Sequence, residues 1–178
     1  LILTLASKLW KVSEQANNAS LSDDITSSLD SFTKLKWILL SFIPSSLLLG
    51  VTTFLSTDIA TVPLLWIVPL IIYLLTFIIV FSKNPIFSHE LMIKAMPIMI
   101  LAVSFQMISA QTKDVFLTVL IHLLTFFISS MVCHGELAKN RPSVKHLTEF
   151  YLWISVGGFL GGLFNALIAP MIFKTVVE

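Results

Sequence analysis

Residues 131–170 read MVCHGELAKNRPSVKHLTEFYLWISVGGFLGGLFNALIAP. A short segment carrying His134, Glu136, Lys139, Arg141, Lys145 and His146 separates two apolar runs, residues 115–133 before it and about 150–173 after it. Each run holds the roughly 20 residues needed to cross about 30 Å of hydrocarbon. Hydrocarbon offers no water to an open backbone, so each run is expected to be helical. Working outward, three further runs of the same kind occupy residues 37–55, about 62–81 and about 91–110. The whole composition agrees: 178 residues, 56% hydrophobic and 12% charged, with a mean hydropathy of +0.93. That is too apolar for an ordinary soluble domain. The expected fold class is all-α, a polytopic integral membrane helix bundle with about five complete transmembrane helices, neighbours packing antiparallel across short connections.

The ends suggest a longer protein. Residues 1–7, LILTLAS, read as the end of a preceding transmembrane helix, and the chain stops just after an apolar run. Residues 8–36 form an expected flexible cytoplasmic linker, and residues 37–178 the five-helix region, part of a longer chain. Within the linker, SEQANNASLSDDITSSLDS (13–31) is polar and rich in Ser, Asn and Asp, with little to bury. Asn18-Ala19-Ser20 matches a glycosylation acceptor, but a cytoplasmic linker does not meet the transferase, so no function attaches to it. No signal peptide is visible.

Basic residues set the orientation. Lys8, Lys11, Lys34 and Lys36 precede the first full run, Lys83 and Lys94 flank the second connection of the bundle, and Lys139, Arg141 and Lys145 fill the last. Only Lys113 and Lys174 fall on the other side. By the positive-inside rule, loops 8–36, 82–90 and 134–149 are expected to be cytoplasmic and the turns near 55–62 and 111–114 to face outward.

Chemistry-bearing residues are sparse. The lone Cys133 permits no internal disulfide and reads as a small apolar filler. Cys133, His134, Glu136 and His146 could be joined as a zinc site, but two adjacent ligands followed by a nine-residue gap match no usual pattern, and no metal is expected. His122 lies mid-run without a facing partner histidine, which favours a hydrogen-bonded bundle residue over a haem ligand. Gly157 with Gly161 and Gly158 with Gly162 form two small-x-x-x-small pairs, which suit close helix packing or, alternatively, a sliding or solute contact. Asn165 lies on a similar side and could hydrogen-bond across that contact. Asp58, beside Thr57 in the first outward turn, either caps the next helix or attracts a cationic solute, which makes Asp58 and Asn165 the candidate solute contacts. Prolines 44, 63, 69, 97 and 170 fall inside or at the edges of the runs and can kink them. No nucleophile, base and orienting group can be assembled, so no catalytic residue is assigned.

Two phrases, PSSLLLGVTTFLSTDIATVPLLWIVPLIIYLLTFIIVF (44–81) and CHGELAKNRPSVKHLTEFYLWISVGGFLGGLFNALIAP (133–170), resemble the membrane part of bacterial fused major-facilitator/spermidine-synthase-like proteins. The resemblance implies a multi-helix membrane region preceding a cytoplasmic Rossmann-like domain similar to aminopropyltransferases. GELAKNRP (135–142) also resembles the major-facilitator loop pattern, with Lys139 where that pattern has an aspartate, so its charge-relay role does not carry over. The chain has no G-x-G and no strand-like run, so the synthase domain itself and its cofactors are not expected within these residues. The partners implied are the lipid bilayer, further helices and a cytoplasmic domain of the same chain, without nucleic acid; the location implied is the bacterial inner membrane, multi-pass. Two functions follow as expectations: a membrane anchor and transport module of a polyamine-related protein, or a structural or assembly subunit with no solute path.

Overall fold

The structure, a computed structural model, describes residues 30–56, 64–82, 87–109 and 114–172. Asp58 and Thr57 lie outside the described residues, as do residues 1–29, which include the expected preceding helix end. The described chain is all-helical, with no strand among the described residues. The helices are α1 (Ser31–Phe54), α2 (Ile67–Phe81), α3 (His89–Ser109), α4 (Val115–Lys139) and α5 (Leu147–Leu163). A 3-10 turn, Val144–His146, precedes α5, and a π-turn, Phe164–Ile168, leads from it into a short α6, Ala169–Ile172.

Three of these rods are long and apolar enough to cross a membrane: Ser31–Phe54, Val115–Lys139 and the continuous stretch Val144–Ile172. At 15 residues, α2 is apolar but covers only about 22 Å, short of a hydrocarbon core. α3 has 21 residues, but its first two turns carry His89, Glu90 and Lys94. Of the five expected crossings, the described residues supply three by length and composition.

Boundaries move in two places. α1 begins at Ser31, six residues before the apolar run, where the Thr33 and Lys34 amides bond to the Asp30 carbonyl. α4 does not stop at Cys133 but continues through HGELAK to Lys139, so His134 and Glu136, expected in a loop, are helical. The reason is packing: Cys133, His134, Gly135 and Leu137 are all buried against neighbouring helices, and the helix closes only at Asn140, whose amide bonds to the Glu136 carbonyl. At its other end Asp114 caps α4, its carboxylate accepting from the Phe116 and Leu117 amides at 3.0 and 3.4 Å.

Contacts between helices fix their directions. Lys36 meets Glu136 while Phe54 stacks on His122, so α1 and α4 are antiparallel. His89 lies over Gly135 and Gln106 donates to Thr118, so α3 and α4 are antiparallel too. Trp37 packs edge-on to Phe150 at 5.0 Å, and Ser46 meets Asn165, which makes α1 and α5 parallel. Lys36 on α1, the start of α3 and the end of α4 thus share one end of the bundle. Lys36, Lys94, Lys139 and Arg141 gather there.

Two kinds of interface hold the helices. Between α1 and α5, Gly157 and Gly161 are buried, and a Cβ at Gly157 would run into the Ser41 hydroxyl and the Ile38 carbonyl. A Cβ at Gly161 would lie 2.5 Å from the Phe42 carbonyl oxygen and 3.0 Å from the Ser46 nitrogen. Gly158 and Gly162 are looser: the nearest atoms would be the Ser45 hydroxyl at 3.4 Å and a Leu49 methyl at 3.8 Å. Only one of the two glycine stripes therefore makes backbone-close contact. Where α4 meets α2 and α3, by contrast, Ile79, Met92 and Met131 form a buried cluster flanked by Val80, Phe127, Ile128 and Val132. Outward faces are apolar, as at Phe105 and Phe159, 74% and 67% exposed.

Candidate functional site

Helices this apolar have few reasons to place polar groups between them, and each such group needs a partner. The structure places three polar stations along the bundle. The first lies at the basic end. Glu136, one-third exposed, has both carboxylate oxygens engaged across helices. Its Oε1 accepts from Lys36 Nζ at 2.8 Å and from Asn140 Nδ2 at 3.0 Å, while Oε2 faces His89 Nε2 at 3.5 Å. One carboxylate thereby ties α1, α3 and α4 together. The His89 ring rests on Gly135, where any side chain would collide with it. A cleft of about 300 Å³ opens beside His89 and Gly135, lined chiefly by Val80, Phe87, Met92 and Met131.

The second station lies two residues back along α4, on another side of the helix. His134 is fully buried, tilted against Phe77 with ring centroids 3.8 Å apart and edge-on to Tyr73. Thr76 Oγ1 donates to the Tyr73 carbonyl at 2.7 Å, which uses its only proton. The 2.9 Å contact between Thr76 Oγ1 and His134 Nδ1 must then be donated by the ring, so the proton of the neutral imidazole sits on Nδ1. His134 Nε2 is left as a bare acceptor, buried and without a hydrogen-bond partner among the described residues. Ser130, four residues earlier on the same face of α4, has a buried hydroxyl in the same condition.

The third station lies toward the opposite end, where α1, α4 and the π-turn meet. Asn165 Nδ2 donates to the Ser46 carbonyl at 2.7 Å and to Ser46 Oγ at 2.6 Å. Between the second and third stations, Ser45 and Tyr73 share a 3.2 Å hydrogen bond that links α1 to α2.

Of the residues singled out in the sequence, Glu136, His134 and Asn165 each belong to a station. Arg141 has an exposed side chain and joins none. His146 pairs loosely with Glu149 at 4.0 Å, beside the start of α5. Cys133 is a buried free thiol. No group of three metal-ligating side chains exists among the described residues, and Cys133, His134, Glu136 and His146 do not form one. His122 is held by the Thr118 carbonyl. His89, Asn140, Thr76 and Tyr73 were not singled out, and Lys36 entered only as an orienting charge, although the sequence carried a signal for some. Asn140 stands four residues after Glu136, and Tyr73 and Thr76 are the polar pair in an otherwise apolar run, three apart and so on one helix face.

Comparison of the chain with protein-family models, with curated proteins and with solved structures returns no match.

Proposed function

We propose that the chain is the membrane-embedded region of a polyamine-related integral membrane protein similar to the fused major-facilitator/spermidine-synthase-like proteins, acting as a membrane anchor and as a transport module for a cationic solute. In this reading about five helices cross the bacterial inner membrane. The basic end faces the cytoplasm and would carry any cytoplasmic domain of the same protein. The observation that carries the reading is the row of polar stations between helices whose outer faces are apolar. Polar groups at membrane depth are costly and usually line a solute or proton path. The gathering of Lys36, Lys94, Lys139 and Arg141 at one end supports the orientation.

One observation favours the runner-up, an assembly or structural subunit without a solute path. The α1–α5 interface closes backbone on backbone at Gly157 and Gly161 and leaves no room for a solute there. Uptake separates the two. Proteoliposomes containing the chain should accumulate radiolabelled spermidine above protein-free vesicles, and Glu136→Ala should reduce that uptake. Uptake no greater than in protein-free vesicles would reject transport and leave the structural reading.

A further inference from the structure

Past Gly161 the small-residue contact ends and a cavity of about 300 Å³ opens between α1, α4 and the π-turn, lined by Ser46, Gly50, Phe54, His122 and Asn165. Its polar character can be assigned atom by atom. The Ser46 carbonyl can only accept, so the Asn165 atom 2.7 Å away is the amide nitrogen. Asn165 spends both N–H bonds on Ser46, and its Oδ1 stands over Gly50, 3.9 Å from where a Cβ would be. The Thr118 carbonyl, 2.8 Å from His122 Nδ1, likewise can only accept, so that nitrogen donates, and in the neutral ring Nε2 is the acceptor. The His122 ring is held in place by stacking on Phe54, centroids 4.5 Å apart at 27°.

Neither Asn165 Oδ1 nor His122 Nε2 has a hydrogen-bond donor among the described residues. The cavity therefore offers two acceptors and an aromatic wall. The Ser46 hydroxyl accepts from Asn165 and keeps one O–H to give, so the cavity holds two acceptors and one donor. The π-turn matters because it displaces Asn165 from the register of α5, and such turns recur at functional positions.

We infer that this cavity is a binding subsite for a primary ammonium group. Such a group brings three N–H donors for the oxygen and nitrogen lone pairs. Hard metal cations prefer all-oxygen sets, and zinc requires more protein ligands than two. The same chemistry has two sources, a soluble polyamine or the ethanolamine headgroup of a membrane lipid. The inference deepens the transport reading and rests on it for access of solute to the site.

The test is equilibrium binding of radiolabelled putrescine to the purified full chain in phosphatidylcholine nanodiscs, whose headgroup has no N–H. Saturable binding is expected, displaced by methylammonium but not by tetramethylammonium, which has the charge without the donors. His122→Phe keeps the stack on Phe54 but removes the acceptor, and Asn165→Leu removes the oxygen. Each should weaken binding about tenfold or more, the scale of one charge-assisted hydrogen bond. His122→Gln, which restores an acceptor, should recover part of it. Retention of phosphatidylethanolamine by native mass spectrometry, lost in the same variants, would assign the site to lipid if putrescine does not bind. Equal displacement by tetramethylammonium, or putrescine binding unchanged in both variants, overturns the inference, as does the absence of both ligands from the wild-type chain. Binding without uptake would leave the subsite standing and reject only transport.

Discussion

The α1–α5 interface and the meeting of α4 with α2 and α3 solve the same packing problem in opposite ways. Between α1 and α5 the side chains are removed: Gly157 and Gly161 let backbone approach backbone, with Ser41 and Ser45 in the contact. Around α4 the space is filled instead, by Ile79, Met92 and Met131. The first arrangement depends on the absence of volume and tolerates no addition. The second depends on the presence of volume and tolerates no deletion. Where lipid surrounds both, the gain comes from fit, since lipid tails are as apolar as the side chains they replace.

Substitutions that reverse each design should break this contrast, with thermal stability in detergent as the readout. The largest loss is expected for Met131→Ala, which empties buried volume in the α4 cluster and should cost about 2–5 kcal/mol. Next comes Gly161→Leu, which forces a branched side chain into the Phe42 carbonyl and the Ser46 backbone, at about 1–3 kcal/mol. Gly161→Ala should also destabilise, because the obstructing atoms are backbone and cannot swing aside. Gly162→Ala, on the looser stripe, should be neutral or gain up to about 1 kcal/mol from helix propensity. If Gly161→Ala and Gly162→Ala behave alike, the distinction between the two stripes is wrong.

Glu136→Gln sharpens the comparison from the polar side. The side chain can still accept from Lys36 and Asn140, and the pair is about one-third exposed, so the loss should be about 1 kcal/mol or less and should shrink further in high salt. Phe159→Leu, on an exposed face, should change stability by less than about 0.5 kcal/mol.

The helical class was legible in the sequence because apolar runs leave the backbone no alternative, and the basic residues foretold which helix ends would gather. The glycine spacing pointed to a close contact but could not tell that Gly157 and Gly161 face α1 while Gly158 and Gly162 lie to its side, a matter of rotation about the helix axis. The end of α4 was missed for a physical reason. His134 and Glu136 look like loop residues by polarity, yet Thr76, Lys36 and His89 come from three other helices to satisfy them. Partners 58 or 100 residues away leave no local pattern. Asn165 was visible as a lone amide, but its free oxygen emerged only once Ser46 was seen to take both its protons.

The proposed orientation puts the basic end of a membrane-crossing bundle inside. Cysteine labelling in sealed, right-side-out cells tests it most directly, with Cys133 replaced by Ala to remove the buried native thiol. Ser143→Cys, exposed in the segment after α4, should be protected from an impermeant thiol reagent until the cells are permeabilised, whereas Thr57→Cys should react at once. Reaction of both positions in intact cells, or protection at Thr57→Cys with reaction at Ser143→Cys, would contradict it.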